Sequence, residues 1–387
     1  MINEIIEPKV RFNEFKKGWL KIAVKNLCTF KDSDRIPLSS EERSKRQGKY
    51  PYYGASKIID YVDDYLFDGE YVLLGEDGAN ILNRSSPLAF VISGKNWVNN
   101  HAHIMKASGS NKFLAESLER IRYEKYNTGT AQPKLNSDVC KKIVLNYPQE
   151  LEEQHKIAAF LSSVDKKISL LKEKNELLLQ YKKGVMQKLF SQEIRFKDEN
   201  GNDFSNWENK VVGDFMVESK VKGSSGLTAK KITVKLWGKG VFEKNENILG
   251  SENTQYYTRK AGQFLYSKLD FLNCAFGIVP DFLDDFETTV DLPCFDIADG
   301  INKYLILEFI KQKCFYKKYG DMADGSRKAK RIHAKDFLSF PMNLPCEQEQ
   351  NRIAGFLQAL DKKRDLVSQQ IEQTQTFKKG VLQQMFA

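Results

Sequence analysis

Two stretches of the chain repeat one another, and this duplication is the strongest constraint on the fold. Residues 154–190 and 350–386 lie 196 positions apart and are identical at 16 of 37 positions without a gap. Ordinary amino-acid usage would give about two identities by chance. The fold must therefore accommodate two copies of one long element, each placed after a different stretch of chain.

Both copies have the spacing of a coiled-coil helix. Apolar residues recur at intervals that alternate between four and three, which keeps them on one face of a helix. Each helix would reach roughly 50–60 Å at 1.5 Å per residue. The predicted seam consists of Ile157, Leu161, Val164, Ile168, Leu171, Leu178 and Val185 in the first copy, and of Ile353, Leu357, Leu360, Val367, Ile371 and Val381 in the second.

Polar residues interrupt both seams, and they can fix register or partner choice. They are Asn175, Lys182, Arg364, Thr374 and Lys378. Gly184 and Gly380 occupy matched positions, where either a close helix approach or a local helix end would account for a glycine. Pairing of the two helices with each other is the most economical arrangement. The pattern admits parallel and antiparallel pairing, and a homodimeric coiled coil is the alternative.

The repeats divide the chain into four segments. We predict a first globular domain over residues 1–149, a helix over 150–190, a second globular domain over 191–345 and a helix over 346–387. Strand-like runs such as Tyr71–Leu74 and Phe264–Tyr266 occur in both globular segments, with helices predicted over Lys112–Lys125 and Lys303–Lys317. Each globular segment is therefore expected to be an α+β domain, with related edges and a divergent middle.

Basic residues cluster within these segments. The formal net charge of +9 favours an anionic partner, and lysine and arginine supply phosphate contacts while amide and guanidinium groups read base edges. A solvated loop is the alternative at any single position. The predicted DNA-binding residues are Lys31, Arg35, Arg43, Lys45, Arg46, Lys49, Tyr53, Asn80, Arg84, Thr130, Gln132, Lys134, Lys235, Trp237, Lys239, Arg327, Lys328, Lys330 and Arg331.

Motifs for catalysis or metal binding are missing from the sequence. There is no GxGxxG, no Walker A loop and no Asn/Asp-Pro-Pro-aromatic segment, and the acidic run from Pro280 to Glu287 lacks the lysine that completes a nuclease site. The six cysteines are scattered singly, so we expect reduced, mostly buried thiols and no zinc site. His101 and His103 alternate along a predicted strand, as a structural pair or as base contacts. With no apolar run of membrane length and no signal peptide, a cytoplasmic location is expected.

These residues together resemble the specificity subunits of type I restriction-modification systems. The resemblance lies in the repeated QxxIAxFL segments, in Asp165-Lys166-Lys167 and Asp361-Lys362-Lys363, and in the KKGV sequences that begin at Lys182 and Lys378. The run from Gly129 to Asn136 (GTAQPKLN) and the landmarks around Trp19 and Trp207 look like the same family. Residues 325–330 (GSRKAK) match the GTAQPK pattern only in part.

The resemblance implies an α+β fold in which two target-recognition domains are separated by two long helices that form an antiparallel coiled coil. Each domain would read one half of a bipartite double-stranded DNA target, and the helices would set the spacer. The chain would have no catalysis, cofactor or metal of its own. Its partners would be two modification subunits that methylate adenine with S-adenosylmethionine, and restriction subunits that use ATP and magnesium.

Two other classes of protein stay open at the level of sequence. A stand-alone methyltransferase or nuclease is disfavoured by the missing motifs. A coiled-coil scaffold that binds only protein is disfavoured by the basic loops.

Overall fold

The computed structural model describes residues 5–244, 250–321 and 331–386. The chain divides into two compact units, of which unit 1 comprises Met1–Lys174 and Val367–Ala387, and unit 2 comprises Asn175–Leu366. Each unit contains one globular region and one part of each repeated helix. The boundaries of the four predicted segments stay a prediction.

Unit 1 is built mainly from antiparallel strands. Its three sheets have the strand orders β1-β2-β11, β3-β10-β7-β8 and β5-β4-β9-β6, and the contact between β4 and β9 is parallel. The strands are β1 (Ile5–Ile6), β2 (Trp19–Ala23), β3 (Cys28–Phe30), β4 (Gln47–Tyr53), β5 (Ile58–Val62), β6 (Phe67–Asp68), β7 (Tyr71–Gly75), β8 (Ala89–Ile92), β9 (Lys95–Val98), β10 (Ala102–Ala107) and β11 (Val144–Tyr147).

One helix of unit 1, Asn111–Glu119, packs against the second of these sheets. It packs on β7 and β8, and places Phe113 and Leu114 in a fully buried core. The same core includes Ile157, Leu161 and Met385 from the repeated helices, so the helix ends are part of the globular region. The helices are α1 (Ser40–Lys45), α2 (Asn80–Asn83), α3 (Asn111–Glu119), α4 (Ser137–Lys142) and α5 (Leu151–Phe190), the last of which continues into unit 2.

Unit 2 repeats part of this arrangement. Its sheets have the strand orders β12-β22, β13-β21-β18-β19, β14-β17-β20 and β15-β16. The strands are β12 (Glu208–Val211), β13 (Met216–Ser219), β14 (Lys222–Ser225), β15 (Ile232–Lys235), β16 (Gly240–Glu243), β17 (Gln255–Thr258), β18 (Phe264–Tyr266), β19 (Phe276–Ile278), β20 (Glu287–Thr288), β21 (Cys294–Ile297) and β22 (Pro341–Leu344). The helices are α6 (Lys303–Ile310), α7 (Lys313–Gly320), α8 (Ala334–Leu338) and α9 (Glu347–Met385).

One four-stranded sheet is common to both units. The order β3-β10-β7-β8 in unit 1 and β13-β21-β18-β19 in unit 2 places the first, fourth, second and third strands of each sheet side by side. The units differ in the strands around this sheet, because unit 1 adds one four-stranded sheet whereas unit 2 adds a three-stranded sheet and the β15–β16 hairpin. The shared part is therefore larger than the related edges that the sequence predicts.

The long helices pair antiparallel within each unit. In unit 1 Asp165 of α5 lies 2.5 Å from Lys378 of α9, and α5 begins where α9 ends. In unit 2 the two helices exchange roles, because the lysine comes from α5 and the aspartate from α9. Lys182 lies 2.7 Å from Asp361. All of the predicted seam positions are buried or half-buried, and the predicted α+β fold with an antiparallel helix pair is confirmed.

Both predicted helices outside the repeat are shorter than expected. In unit 1 α3 ends at Glu119, because the buried Tyr123 turns back and donates its hydroxyl to the Leu118 carbonyl over 2.9 Å. In unit 2 the predicted helix is two helices, α6 and α7, since Gln312 adopts an extended backbone and its side chain donates to the Glu308 carbonyl. The apolar periodicity of the sequence continues across both helix ends, so only the tertiary contacts show where the helices stop.

Gly184 and Gly380 do not have the role that we expected. Both lie inside continuous helices, so neither marks a helix end. A Cβ atom built at either position would meet no atom within 4 Å, so the described residues show no close helix approach there. Both proposed reasons for these glycines are therefore wrong.

Candidate DNA interface

A closed polar loop follows the last 3₁₀ turn of unit 1. The Thr128 N–H donates to the Lys134 carbonyl over 2.8 Å, and the side-chain oxygen of Asn127 accepts from the Lys134 N–H over 2.9 Å. The loop is thus fixed at its base by one main-chain hydrogen bond and by one hydrogen bond to the Asn127 side chain. Its exposed tip carries Thr130 and Gln132, two of the predicted DNA-binding residues.

The turn after β7 holds this loop in place. The Leu135 N–H donates to the Glu76 carbonyl over 2.7 Å, and the Gly78 N–H donates to the Pro133 carbonyl over 3.0 Å. The Glu76 carboxylate also lies 3.5 Å from the ammonium of Lys134. Two segments that are distant in the sequence therefore form one surface.

A buried ion pair between His103 and Asp32 stabilises both segments. His103 on β10 lies with Nδ1 2.7 Å from the Asp32 carboxylate and Nε2 2.8 Å from the Leu135 carbonyl oxygen. Burial alone would lower the pKa of His103, but the interactions with Asp32 and Cys140 together outweigh it and raise the pKa to about 10. Burial alone would raise the pKa of Asp32, but its interactions with His103, the Ile104 N–H and Arg35 together lower it. His103 is therefore a structural cation, whereas His101 is half exposed beside Asp77.

Three of the predicted DNA-binding side chains already have partners inside unit 1. Arg35 is mostly buried and donates to Glu76 over 2.9 Å. The Asn80 side chain donates to the Ser86 carbonyl over 3.0 Å and accepts from the Ser86 N–H over 2.9 Å. Arg84 lies 2.6 Å from the Glu119 carboxylate. These contacts stabilise the loops, and the exposed loop tip is better placed for a ligand.

The basic cluster on α1 and β4 is largely compensated by acidic residues of β5 and its flank. Arg43 donates to Asp60 and Arg46 to Asp63, both over 3.0 Å, and the Arg46 guanidinium lies 4.8 Å from the centre of the Trp97 ring. These pairs hold α1 against the sheet. Phosphate contacts by the two arginines would add to this role and not replace it.

The remaining predicted residues of this region differ in exposure. Lys45 is exposed and pairs with Glu41 on the same helix, whereas Lys31 is half-buried and lies 3.6 Å from Asp34. Lys49 is exposed with its ammonium 5.3 Å from the neighbouring Tyr50 ring. Tyr53 is half-buried, and burial raises its pKa.

In unit 2 the predicted residues lie at the tip of a hairpin. Lys235 ends β15, Lys239 precedes β16, and Trp237 between them is 63% exposed. Arg331 is also exposed. The other members of its predicted cluster lie outside the described residues: Arg327, Lys328 and Lys330.

Sequence patterns alone did not indicate a buried clamp in unit 1. The Glu153 carboxylate at the start of α5 is fully buried and accepts two hydrogen bonds from Arg11, at 2.6 and 2.7 Å, and one from the Trp19 indole at 3.1 Å. The next residue, Gln154, accepts from the Ser110 N–H and donates to the Pro148 carbonyl. The clamp joins β2 and α3 to the long helix.

Unit 2 contains the same clamp. Glu349 is fully buried and accepts from Arg195 at 3.1 and 2.7 Å and from the Trp207 indole at 3.0 Å. Gln350 accepts from the Asn302 N–H over 2.9 Å and donates to the Pro345 carbonyl. Glu349 lies 196 positions after Glu153, so the repeat offset was the clue that could have revealed both glutamates.

Several expected absences concern the described part of the chain. Within residues 5–244, 250–321 and 331–386, no group of three or more His, Cys, Asp or Glu side chains is arranged to hold a metal ion. No helix in this part of the chain combines the length and the apolar character needed to cross a membrane. All six cysteines are free and four of them are buried, and burial raises the pKa of Cys28 and of Cys294 to about 12.

These contacts define a duplicated architecture, and comparison with known proteins shows what the chain is similar to. The family model for the type I restriction modification DNA specificity domain matches residues 16–180. A Haemophilus influenzae protein that bears the name of a type I restriction enzyme specificity subunit is 34% identical over 132 residues, which cover 34% of this chain and 33% of that relative.

Two further similarities extend over most of the chain. The type I restriction enzyme MjaVIII specificity subunit of Methanocaldococcus jannaschii is 23% identical over 368 residues, covering 87% of this chain and 85% of the relative. The crystal structure of the type I restriction-modification S subunit from M. genitalium shares the fold with a TM-score of 0.62 at 15% identity, covering 99% of both chains. The chain is therefore similar to specificity subunits of type I restriction-modification systems, and its residues 16–180 match the DNA specificity domain of that family.

This similarity also bears on catalysis. The relatives are named as specificity subunits, which agrees with the expectation that the chain is not an enzyme. Which residues contact DNA stays a prediction.

Proposed function

We propose that this chain is a DNA specificity subunit that reads a bipartite DNA target, with one half-site for each unit. The observation that carries the proposal is the combination of a shared four-stranded sheet and a shared clamp with dissimilar outer strands and loops. A common scaffold places two recognition surfaces alike, and loops on a rigid scaffold carry specificity. Different loops would then select different bases.

The contacts that we propose differ between the units. In unit 1 the loop tip with Thr130 and Gln132 would reach base edges, while Lys134, Lys45 and Lys49 would contact phosphates. In unit 2 the β15–β16 hairpin would approach the DNA, together with the cluster of Arg327, Lys328, Lys330 and Arg331. Arg35, Asn80 and Arg84 would act by holding the loops of unit 1.

The helix pair would set the spacer between the half-sites. Helix α5 contains 40 residues and α9 contains 39, so each is about 60 Å long at 1.5 Å per residue. The Asp–Lys pairs between α5 and α9 fix the register of the pairing in each unit. A fixed register suits a ruler, since a slip of one turn would change the distance that the helices span.

The helices would also bind two modification subunits. Each unit exposes one leucine and one aromatic side chain at positions matched by the repeat, Leu170 and Phe377 in unit 1 and Leu366 and Tyr181 in unit 2, and all four are 50–54% exposed. Duplicated apolar positions suit two copies of one partner. The partner would methylate adenine with S-adenosylmethionine, and restriction subunits with ATP and magnesium would complete the enzyme.

Methylation of a random DNA library tests the proposal. The chain is purified with and without its modification subunit and incubated with S-adenosylmethionine, and methylated fragments are sequenced. We expect methylation only with both proteins, at a target of two short sequences separated by a constant spacer. Methylation by the chain alone, or methylation without sequence preference by the complex, would refute the proposal.

Replacing an exposed helix residue tests the docking part separately. The substitution Leu170→Asp should lower the number of bound modification subunits from two to one, as measured by native mass spectrometry. The matched control is Leu227→Asp, a leucine of unit 2 that is 42% exposed and lies outside the long helices. Two bound subunits in both variants would exclude this surface.

A further inference from the structure

The tryptophan at the hairpin tip of unit 2 contributes little to the fold. Trp237 is 63% exposed, and its indole N–H has no hydrogen-bond partner among the described residues. By contrast, Trp19, Trp97 and Trp207 each donate to a carboxylate or carbonyl oxygen. A large aromatic side chain without packing or a polar partner is available for a ligand.

The backbone holds this side chain outward in an unfavourable conformation. Trp237 has φ +63°, in the left-handed region that bulky residues rarely adopt, and it is followed by Gly238 at +65°. The N–H groups of these two residues donate to the carbonyls of Asn273 and Cys274 over 2.8 and 2.7 Å. Cys274 is itself left-handed at φ +53°. Strain that is maintained by two neighbouring segments points to a functional reason for it.

The surroundings of the indole are basic. Lys235 and Lys239 flank the turn, and no carboxylate of the described chain lies within 4 Å of either ammonium group. The Lys235 ammonium lies 4.0 Å from the centre of the Phe242 ring, beside the tip. An aromatic ring between two unpaired lysines matches a polyanion with stacked bases, since the ring stacks and the lysines neutralise phosphates.

A second exposed aromatic residue in unit 2 has the opposite environment. Phe282 is 75% exposed, but Asp281, Asp284 and Asp285 surround it in the sequence. Carboxylates repel the DNA backbone. Both aromatic residues are exposed, and the charge of their neighbours is what distinguishes them. Phe282 thus provides an internal comparison for Trp237.

We propose that Trp237 inserts into duplex DNA as a wedge that unstacks one base step within the half-site of unit 2. The proposal rests on the proposed function and adds a mode of contact to it. Side chains that insert between base pairs unstack and kink the duplex, and the cost depends on the sequence of the step. The wedge would therefore favour flexible pyrimidine–purine steps without forming a hydrogen bond to any base.

The test compares wild type with Trp237→Gly, Trp237→Phe and Phe282→Ala in the complete complex with its modification subunits. Glycine suits the left-handed backbone, so Trp237→Gly removes the indole and relieves strain. Target duplexes carry 2-aminopurine at successive positions, because its fluorescence rises when a base is unstacked. We expect wild type to unstack one step, and Trp237→Gly to abolish that increase and to weaken binding by about 10- to 100-fold.

The control variants separate stacking from other roles. Trp237→Phe should retain the fluorescence increase, and Phe282→Ala should behave as wild type in both measurements. An unchanged fluorescence profile in Trp237→Gly would overturn the wedge, and so would weaker binding with no step unstacked in wild type. If the wild-type complex binds no preferred sequence at all, the proposed function fails, which is a different result.

Discussion

The buried glutamate of the unit 1 clamp allows a quantitative prediction for the substitution Arg11→Met. Glu153 is 0% exposed and accepts three hydrogen bonds, of which Arg11 supplies two. Removing the arginine leaves a buried carboxylate with only the Trp19 indole as a donor. Loss of one partner of a buried ion pair costs about 3–5 kcal/mol, because the remaining charge keeps its desolvation penalty. At a slope of roughly 2 kcal/mol per molar urea, the unfolding midpoint of unit 1 should fall by about 1.5–2.5 M.

Hydrogen-exchange mass spectrometry in increasing urea is the appropriate assay, because it follows each unit separately. Peptides that cover residues 19–30 and 151–165 report on unit 1. Arg195→Met should produce the same shift in unit 2, where Glu349 has the same partners. Lys45→Ala, which removes an exposed ion pair with Glu41, should change stability by no more than about 0.5 kcal/mol. A shift for Arg11→Met as small as that for Lys45→Ala would refute the reasoning.

Three further predictions concern the loops and the helices. His103→Gln should flatten the pH dependence of unfolding above neutrality: the raised pKa of His103, about 10, means that its stabilisation is complete below the unfolded value of about 6.5 and is lost as the pH rises through 10. Urea titrations at pH 6, 8 and 10 measure this, and parallel curves for both proteins would contradict it. Gly184→Ala should raise stability by about 1 kcal/mol, since no atom lies within 4 Å of the new Cβ, and an overpacked helix would instead lower the midpoint. Seven residues inserted after both Lys174 and Leu366 should lengthen the spacer by about three base pairs, because a heptad adds about 10 Å. Methylome sequencing checks this, and altered half-sites would show that the helices are not a ruler.

The parts of the fold that were predictable depend on local periodicity. The seam positions from Ile157 to Val381 follow from intervals of four and three, and each of them is buried or half-buried. Both helix breaks depend on contacts made by single side chains, Tyr123 and Gln312, which periodicity does not contain. The shared sheet order was also missed, because strands of three to six residues with different sequences can form the same pairing.

The candidate site was less predictable than the fold. A basic residue in a polar stretch looks exposed in the sequence, but Arg35 is mostly buried against Glu76, 41 positions away. Conversely, Glu153 stands in the polar run Glu152-Glu153-Gln154, and nothing local distinguishes the fully buried glutamate from its exposed neighbour. The repeat does distinguish the two neighbours, since Glu153 and its counterpart Glu349 each precede the repeated glutamine by one residue.

The clamp, which is present once in each unit, has a consequence for how such genes can diversify. Each unit contains its own glutamate clamp and its own Asp–Lys pair, so neither half borrows these contacts from the other. A foreign domain that brings an arginine and a tryptophan to the glutamate would fit either half without redesign. Under the proposed function, gene exchange between the repeated segments would then create a new pair of half-sites in a single recombination event, with the helices left intact.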